Sequence, residues 1–168
     1  MAEDGLIQLA RRVGEVLRAH GLRLVTAESC TGGGIAAAVT EVPGSSAWFD
    51  RGVVSYSNAS KTEWLDVPVS LLAQYGAVSE AVVAAMTAGA LARSSADIAL
   101  AVSGIAGPEG GTPEKPVGTI CLAWQYRNEP ANCRTVHFSG ERGEVRRATV
   151  VASLEGLLER VMSRPRPR

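Results

Sequence analysis

Histidine is scarce in this chain of 168 residues. There are two, His20 beside Gly21 at the end of a helical stretch and His137 beside Phe138 in a strand-like stretch. Both read as bystanders, so a Ser-His-Asp triad is not expected. Lysine is as scarce: of 17 Lys and Arg residues only Lys61 and Lys115 are lysines. Cysteine occurs three times, an odd count. Cys30, Cys121 and Cys133 match neither a zinc ribbon nor a disulfide framework. No His, Asp and Glu residues cluster at metal-ligand spacing, so no catalytic metal is expected. Net charge is absent, since 17 acidic residues balance the 17 basic ones. That removes the electrostatic case for a nucleic-acid partner, although a local basic patch can still hold one phosphate. No apolar run approaches the roughly 20 residues of a membrane span. The opening MAEDG is polar and acidic and gives no signal-peptide pattern. The expected location is a reducing cytoplasm.

What is present reads as one α/β domain over residues 1–163, with a frayed tail at 164–168. Leu6, Leu9, Val13, Val16 and Leu17 recur at helical spacing over residues 5–20. Residues 22–27 form a β-prone run, followed by an Ala-rich helix ending near Pro43 and Gly44. Residues 51–57 read as a second strand, with short helical pieces at 60–65 and 70–76. Ser79 and Glu80 open a helix running to about Arg93. Residues 97–103 are a near-continuous apolar run, as expected of a strand buried on both faces. Residues 117–126 and 132–139 are two strands about a turn at 127–131, and a last helix runs from Glu141 to about Met162. The hairpin makes the expected sheet mixed.

Two loops leave strand ends and are rich in glycine: TAESCTGGG (26–34) and SGIAGPEGG (103–111). In an open α/β sheet ligands bind beyond such ends. Small residues let backbone N–H groups approach a ligand closely. Neither loop has P-loop or GxGxxG spacing. Ser29 stands between a strand and a helix, where a serine serves as an N-cap or as a nucleophile. As a nucleophile it needs a base, and with histidine excluded a lysine of lowered pKa is the candidate. Arginine cannot deprotonate, so a chain that keeps two lysines among so many arginines has a reason to keep them. Lys61 follows the strand carrying Tyr56, whereas Lys115 lies in an exposed-looking loop. Cys30 reads as a small buried side chain beside Ser29 and Cys121 as core. Glu28 orients a ligand or accepts backbone hydrogen bonds.

The segments TAESCTGG (26–33), PGSSAWFDRGVVSYSNASK (43–61), GAVSE (76–80), SGIAGPEGGTPEKPVGT (103–119) and FSGERGEVRR (138–147) resemble the CinA C-terminal domain family over nearly the whole chain. The likeness is strongest to its stand-alone nicotinamide-nucleotide amidase form. The resemblance implies a three-layer α/β/α sandwich with a mixed, mostly parallel sheet. It implies deamidation of nicotinamide mononucleotide to nicotinate mononucleotide in pyridine nucleotide salvage, without a cofactor, and a homodimer. It gives Ser29 as nucleophile, Lys61 as its base and Tyr56 as the group that orients Lys61 or relays its proton. Glu28, Thr31, Gly32, Gly33, Ser103, Gly104, Ala106, Gly107 and Arg142 are the expected substrate-binding set. Two alternatives remain at this point: a noncatalytic nucleotide-binding or regulatory module, and an amidase for another pyridine or phosphosugar amide.

Overall fold

The computed structural model describes residues 4–168; the start of the chain, read above for a targeting segment, lies in part outside them. Asp4 caps α1 (Gly5–Ala19), its carboxylate accepting from Leu6 N–H, and Ala10, Val13, Gly14 and Leu17 form the buried face. β1 (Leu24–Glu28) is buried along its whole length. It leads into α2 (Gly34–Thr40) and, after a short 3₁₀ turn, β2 (Phe49–Val54). Next come α3 (Asn58–Leu65), α4 (Val69–Tyr75) and α5 (Glu80–Ala92). β3 (Ile98–Gly104), β4 (Thr119–Tyr126), β5 (Asn132–His137) and α6 (Arg142–Met162) complete the chain. Ser79 caps α5 through its hydroxyl, as its sequence position suggests. Glu141 and Glu144 form a capping box at the start of α6.

The strand order is β2-β1-β3-β4-β5. β1 pairs in parallel with both β2 and β3, while β4 is antiparallel to both β3 and β5. Four strands therefore run one way and β4 alone is reversed, which is the mixed, mostly parallel sheet the resemblance implies. Alternate residues of each central strand face opposite layers. Leu24, Leu100 and Leu122 pack under α1, α2 and α6, whereas Val25, Ala99, Ala101 and Ala123 pack against α5 and Leu65 of α3. The domain is thus a three-layer α/β/α sandwich. Trp124 fills the first layer and donates its indole N–H to Ser153 O (3.0 Å).

Two details of packing set the site. β2 ends at Val54, so residues 55–57 leave the ladder earlier than the sequence suggests, although Ser55 N–H still donates to Glu28 O (2.8 Å). Tyr56 therefore sits outside the strand, with its carbonyl free of the ladder. On the other side, α5 presses on the end of α3 at Gly89. A Cβ there would lie 1.8 Å from Leu65 O, so only glycine permits the approach. Arg93 completes the junction through its ion pair with Asp66 (2.7 Å). No helix among the described residues is long and apolar enough to cross a membrane. At the C-terminus His20 Nε2 lies 3.2 Å from Arg164 O, and the Arg164 guanidinium stacks over Tyr126, so the expected tail is tethered at its first residue.

Candidate active site

β1, β2 and β3 all end on one side of the sheet. The crossover through α2 carries the chain from β1 out to β2, and the crossover through α3–α5 brings it back to β3 on β1's other flank. The gap between β1 and β3 is therefore the topological switch point, where an open α/β sheet leaves a crevice. A cleft of about 270 Å³ lies there. Its walls come from Ser29 and Cys30 after β1, from Tyr56, Asn58 and Lys61 after β2, and from residues 103–107 at the end of β3 and just beyond it, with Glu109 and Gly110. Ala77, Val78 and Arg142 close its rim.

Lys61 is the centre of this arrangement. Ser57 caps α3 by accepting from Ser60 N–H (3.1 Å), and Lys61 and Leu65, one turn apart, share the helix's buried face. The lysine is 1% exposed. Its Nζ lies 3.0 Å from Ser29 Oγ, 3.0 Å from Ser55 O and 3.1 Å from Tyr56 O. Among the described residues no carboxylate bonds to it. Burial pushes its pKa below the ordinary lysine value, because the interior disfavours the ammonium. A thiolate at Cys30 would oppose that shift. Burial pushes the Cys30 thiol up to about 11, however, so the thiolate is absent near neutrality. Nζ donates to Ser29 Oγ and to both carbonyls, while the Ser29 hydroxyl donates to Tyr56 O (3.5 Å). A neutral amine keeps its two hydrogens for the carbonyls of Ser55 and Tyr56 and has a lone pair to offer the Ser29 hydroxyl.

Ser29 is not an N-cap. The residue before α2 is Gly33, in a left-handed conformation with no side chain to offer. Glu28 performs that task from a distance. Its fully buried carboxylate accepts from Thr31 Oγ1 (2.6 Å), Ile35 N–H (2.8 Å) and Ala36 N–H (3.0 Å). It thereby satisfies N–H groups at the start of α2 that the helix leaves unpaired and places a negative charge at its positive end. Glu28 and Thr31 are thus spent on shaping the loop, and neither they nor Gly32 and Gly33 line the cleft. Gly32 (φ +59°) and Gly33 (φ +97°) supply left-handed turn geometry instead.

The remaining expected site residues converge on the cleft. Ser103, Gly104, Ala106 and Gly107 form its β3 side, and Arg142, at the first turn of α6, bonds Gly107 O (2.8 Å) and Tyr56 Oη (3.1 Å). Tyr56 reaches Lys61 and Ser29 through its main-chain carbonyl. Its hydroxyl, paired with Arg142, makes no hydrogen bond to Lys61 or Ser29. Sequence reasoning missed Asn58, Ala77, Val78, Ile105, Glu109 and Gly110 among the lining residues, although all six lie within the quoted motifs. The histidines are remote in function: His20 Nδ1 lies 2.9 Å from Val16 O and His137 Nε2 lies 2.8 Å from Val117 O.

Both the sequence and the fold have known relatives. The family model described as the CinA C-terminal domain matches residues 6–161. A Pseudomonas putida protein named nicotinamide-nucleotide amidohydrolase PncC is 56% identical over 156 residues, covering 93% of this chain and 97% of its own. The protein of the same name from Escherichia coli K12 is 46% identical over 162 residues, covering 96% and 98%. A crystal structure of a CinA superfamily protein from Klebsiella pneumoniae superposes with a TM-score of 0.92 at 40% identity, covering 96% of this chain and all of that one. The family model, the relatives' identity and the shared fold therefore show that this chain belongs to the CinA C-terminal domain family.

Proposed function

We propose that this chain is a nicotinamide-nucleotide amidohydrolase that converts nicotinamide mononucleotide to nicotinate mononucleotide and ammonia through a Ser29–Lys61 dyad. The observation that carries the reading is the buried Lys61 amine 3.0 Å from Ser29 Oγ at the floor of the cleft. The names of relatives identical at 46–56% over most of the chain supply the substrate.

Neutral Lys61 takes the Ser29 proton as Oγ attacks the carboxamide carbon, giving a tetrahedral oxyanion. Main-chain N–H groups stabilise that oxyanion. Among the described residues those of Cys30 and Ala106, both on the cleft, have no main-chain acceptor. Such a donor contributes about 3 kcal/mol to catalysis. The Lys61 ammonium returns its proton to the departing nitrogen, the C–N bond breaks and ammonia leaves. Water then attacks the nicotinoyl ester as Lys61 takes a proton again. The ester bond breaks, and Lys61 protonates Ser29 to close the cycle. Arg142 is the rim cation available to the nucleotide phosphate. Binding of that remote group holds the pyridine ring over Ser29. No step calls for a cofactor.

The homodimer is part of the proposal. Val54, Trp64, Val69 and Tyr75 are large apolar side chains about half or more exposed on β2, α3 and α4, a surface that suits a second copy. A cytoplasmic setting accords with three cysteines that remain free thiols. The central test is ammonia release from nicotinamide mononucleotide, free nicotinamide and NAD by the unchanged protein, Ser29→Ala and Lys61→Ala. Activity on the mononucleotide, lost in both variants while circular dichroism is unchanged, is the expected result. Binding of nucleotide without ammonia from any amide points instead to a noncatalytic module. Sedimentation equilibrium reads the dimer.

A further inference from the structure

The motif FSGERGEVRR contributes more than Arg142. One helical turn on, Arg146 extends from the same face of α6 to the turn that carries Ser29. Its Nε donates to Cys30 O (3.1 Å) and its Nη2 to Thr31 O (3.1 Å). The side chain is partly buried and does not line the cleft. Among the described residues no carboxylate pairs with it, so its charge is directed at backbone carbonyls alone. In a trans peptide the C=O and the following N–H point in opposite directions. Fixing Cys30 O toward α6 therefore turns Thr31 N–H away from α6, and that N–H too has no main-chain acceptor. Gly32 N–H donates to Ser29 O (3.0 Å) and closes the turn from the other side. Gly32 also leaves room for the guanidinium: a Cβ there would lie 3.3 Å from Arg146 Nη2.

Resting on the serine–lysine reading above, we infer that Arg146 is the positioning residue of the nucleophile turn. It clamps two successive carbonyls so that Ser29 Oγ stays on Lys61 and the turn's free N–H groups keep a fixed direction. The planar fork spans two acceptors at once, which a lysine ammonium on a flexible stem does not reproduce. Through Arg142 and Arg146 the first two turns of α6 hold both glycine-rich loops, Gly107 by the first residue and Cys30–Thr31 by the second.

The test is steady-state kinetics on nicotinamide mononucleotide with Arg146→Ala and Arg146→Lys. A loosened turn misplaces the nucleophile but leaves the binding rim intact. We expect kcat to fall roughly 10- to 100-fold with KM held within about threefold, and the lysine variant to recover only part of the loss. Added ethylguanidinium should restore part of the alanine variant's kcat, a response that general destabilisation does not give. A kcat within twofold of the unchanged protein in both variants, or a loss carried by KM alone, overturns the inference. If the alanine variant does not fold, the lysine variant decides on the same two criteria. Should the unchanged protein release no ammonia, the functional reading fails by itself. The rate at which a small sulfonyl fluoride labels Ser29 then decides on the clamp. Slower labelling in the Arg146 variants supports it, and an unchanged rate overturns it.

Discussion

Replacing Lys61 by methionine separates the protonation state of the amine from everything else in the site. Methionine keeps the length of the stem and removes the nitrogen. The buried carbonyl of Ser55 loses its lysine donor, a loss of about 1–3 kcal/mol that is the same at every pH, while the part-buried carbonyl of Tyr56 keeps the Ser29 hydroxyl as a donor. The pH-dependent part is distinct. Burial holds the Lys61 pKa below the ordinary value of 10.5 in the folded protein. Between the folded and unfolded pKa the unfolded chain binds the extra proton, so unfolding consumes protons and stability rises with pH. Below the folded pKa the amine is charged in both states and the slope vanishes. The unchanged protein should therefore gain stability over Lys61→Met as pH rises, by up to about 1.4 kcal/mol per pH unit within that window. Cys30, Tyr56, Glu109 and Arg142, the other ionisable groups around the cleft, are common to both proteins and largely cancel in the difference. Urea unfolding of both at pH 6, 7, 8 and 9 measures it. The onset of the slope should coincide with the acid limb of kcat/KM, which reports the free enzyme's base. A difference that is flat from pH 6 to 9, or that falls with pH, means Lys61 is charged in the folded state, and the neutral-base mechanism is then wrong.

Other outcomes follow from the same geometry. Arg142→Ala should raise KM for nicotinamide mononucleotide about 10-fold or more and change nicotinamide riboside, which lacks the phosphate, far less; equal effects on both would remove Arg142 from phosphate binding. Tyr56→Phe should keep kcat within about threefold, because the phenol pairs with Arg142 while the carbonyl serves the dyad; a loss beyond 100-fold would restore a proton relay through the hydroxyl. Glu28→Gln places an amide against three donors, and calorimetry should show stability falling by about 3 kcal/mol, a drop of several degrees in Tm. Gly89→Ala drives a methyl into Leu65 O and should cost about 3 kcal/mol. Activity should fall with it in ammonia assays of the fraction that stays folded, since α3 carries Lys61.

The sequence by itself determined the elements and the chemistry available to them. Periodicity and caps placed α1, α5 and α6 within a residue or two of their ends, because a helix's start and its apolar stripe are local properties. The scarcity of histidine and lysine narrowed the candidate bases to Lys61 and Lys115, because side-chain titration is written in residue type, and the family resemblance singled out Lys61. Only the tertiary structure decided what meets what. Strand order put the ends of β1 and β3 side by side, a long-range pairing that no local pattern encodes. The structure also chose the backbone hydrogen bonds for Glu28, at the head of α2, brought Tyr56 to Lys61 through its carbonyl, and set Arg146 behind Ser29. In each case a partner is a main-chain group. Every residue carries a carbonyl and nearly every residue an N–H, so their roles leave no mark in residue type and appear only when packing aims them.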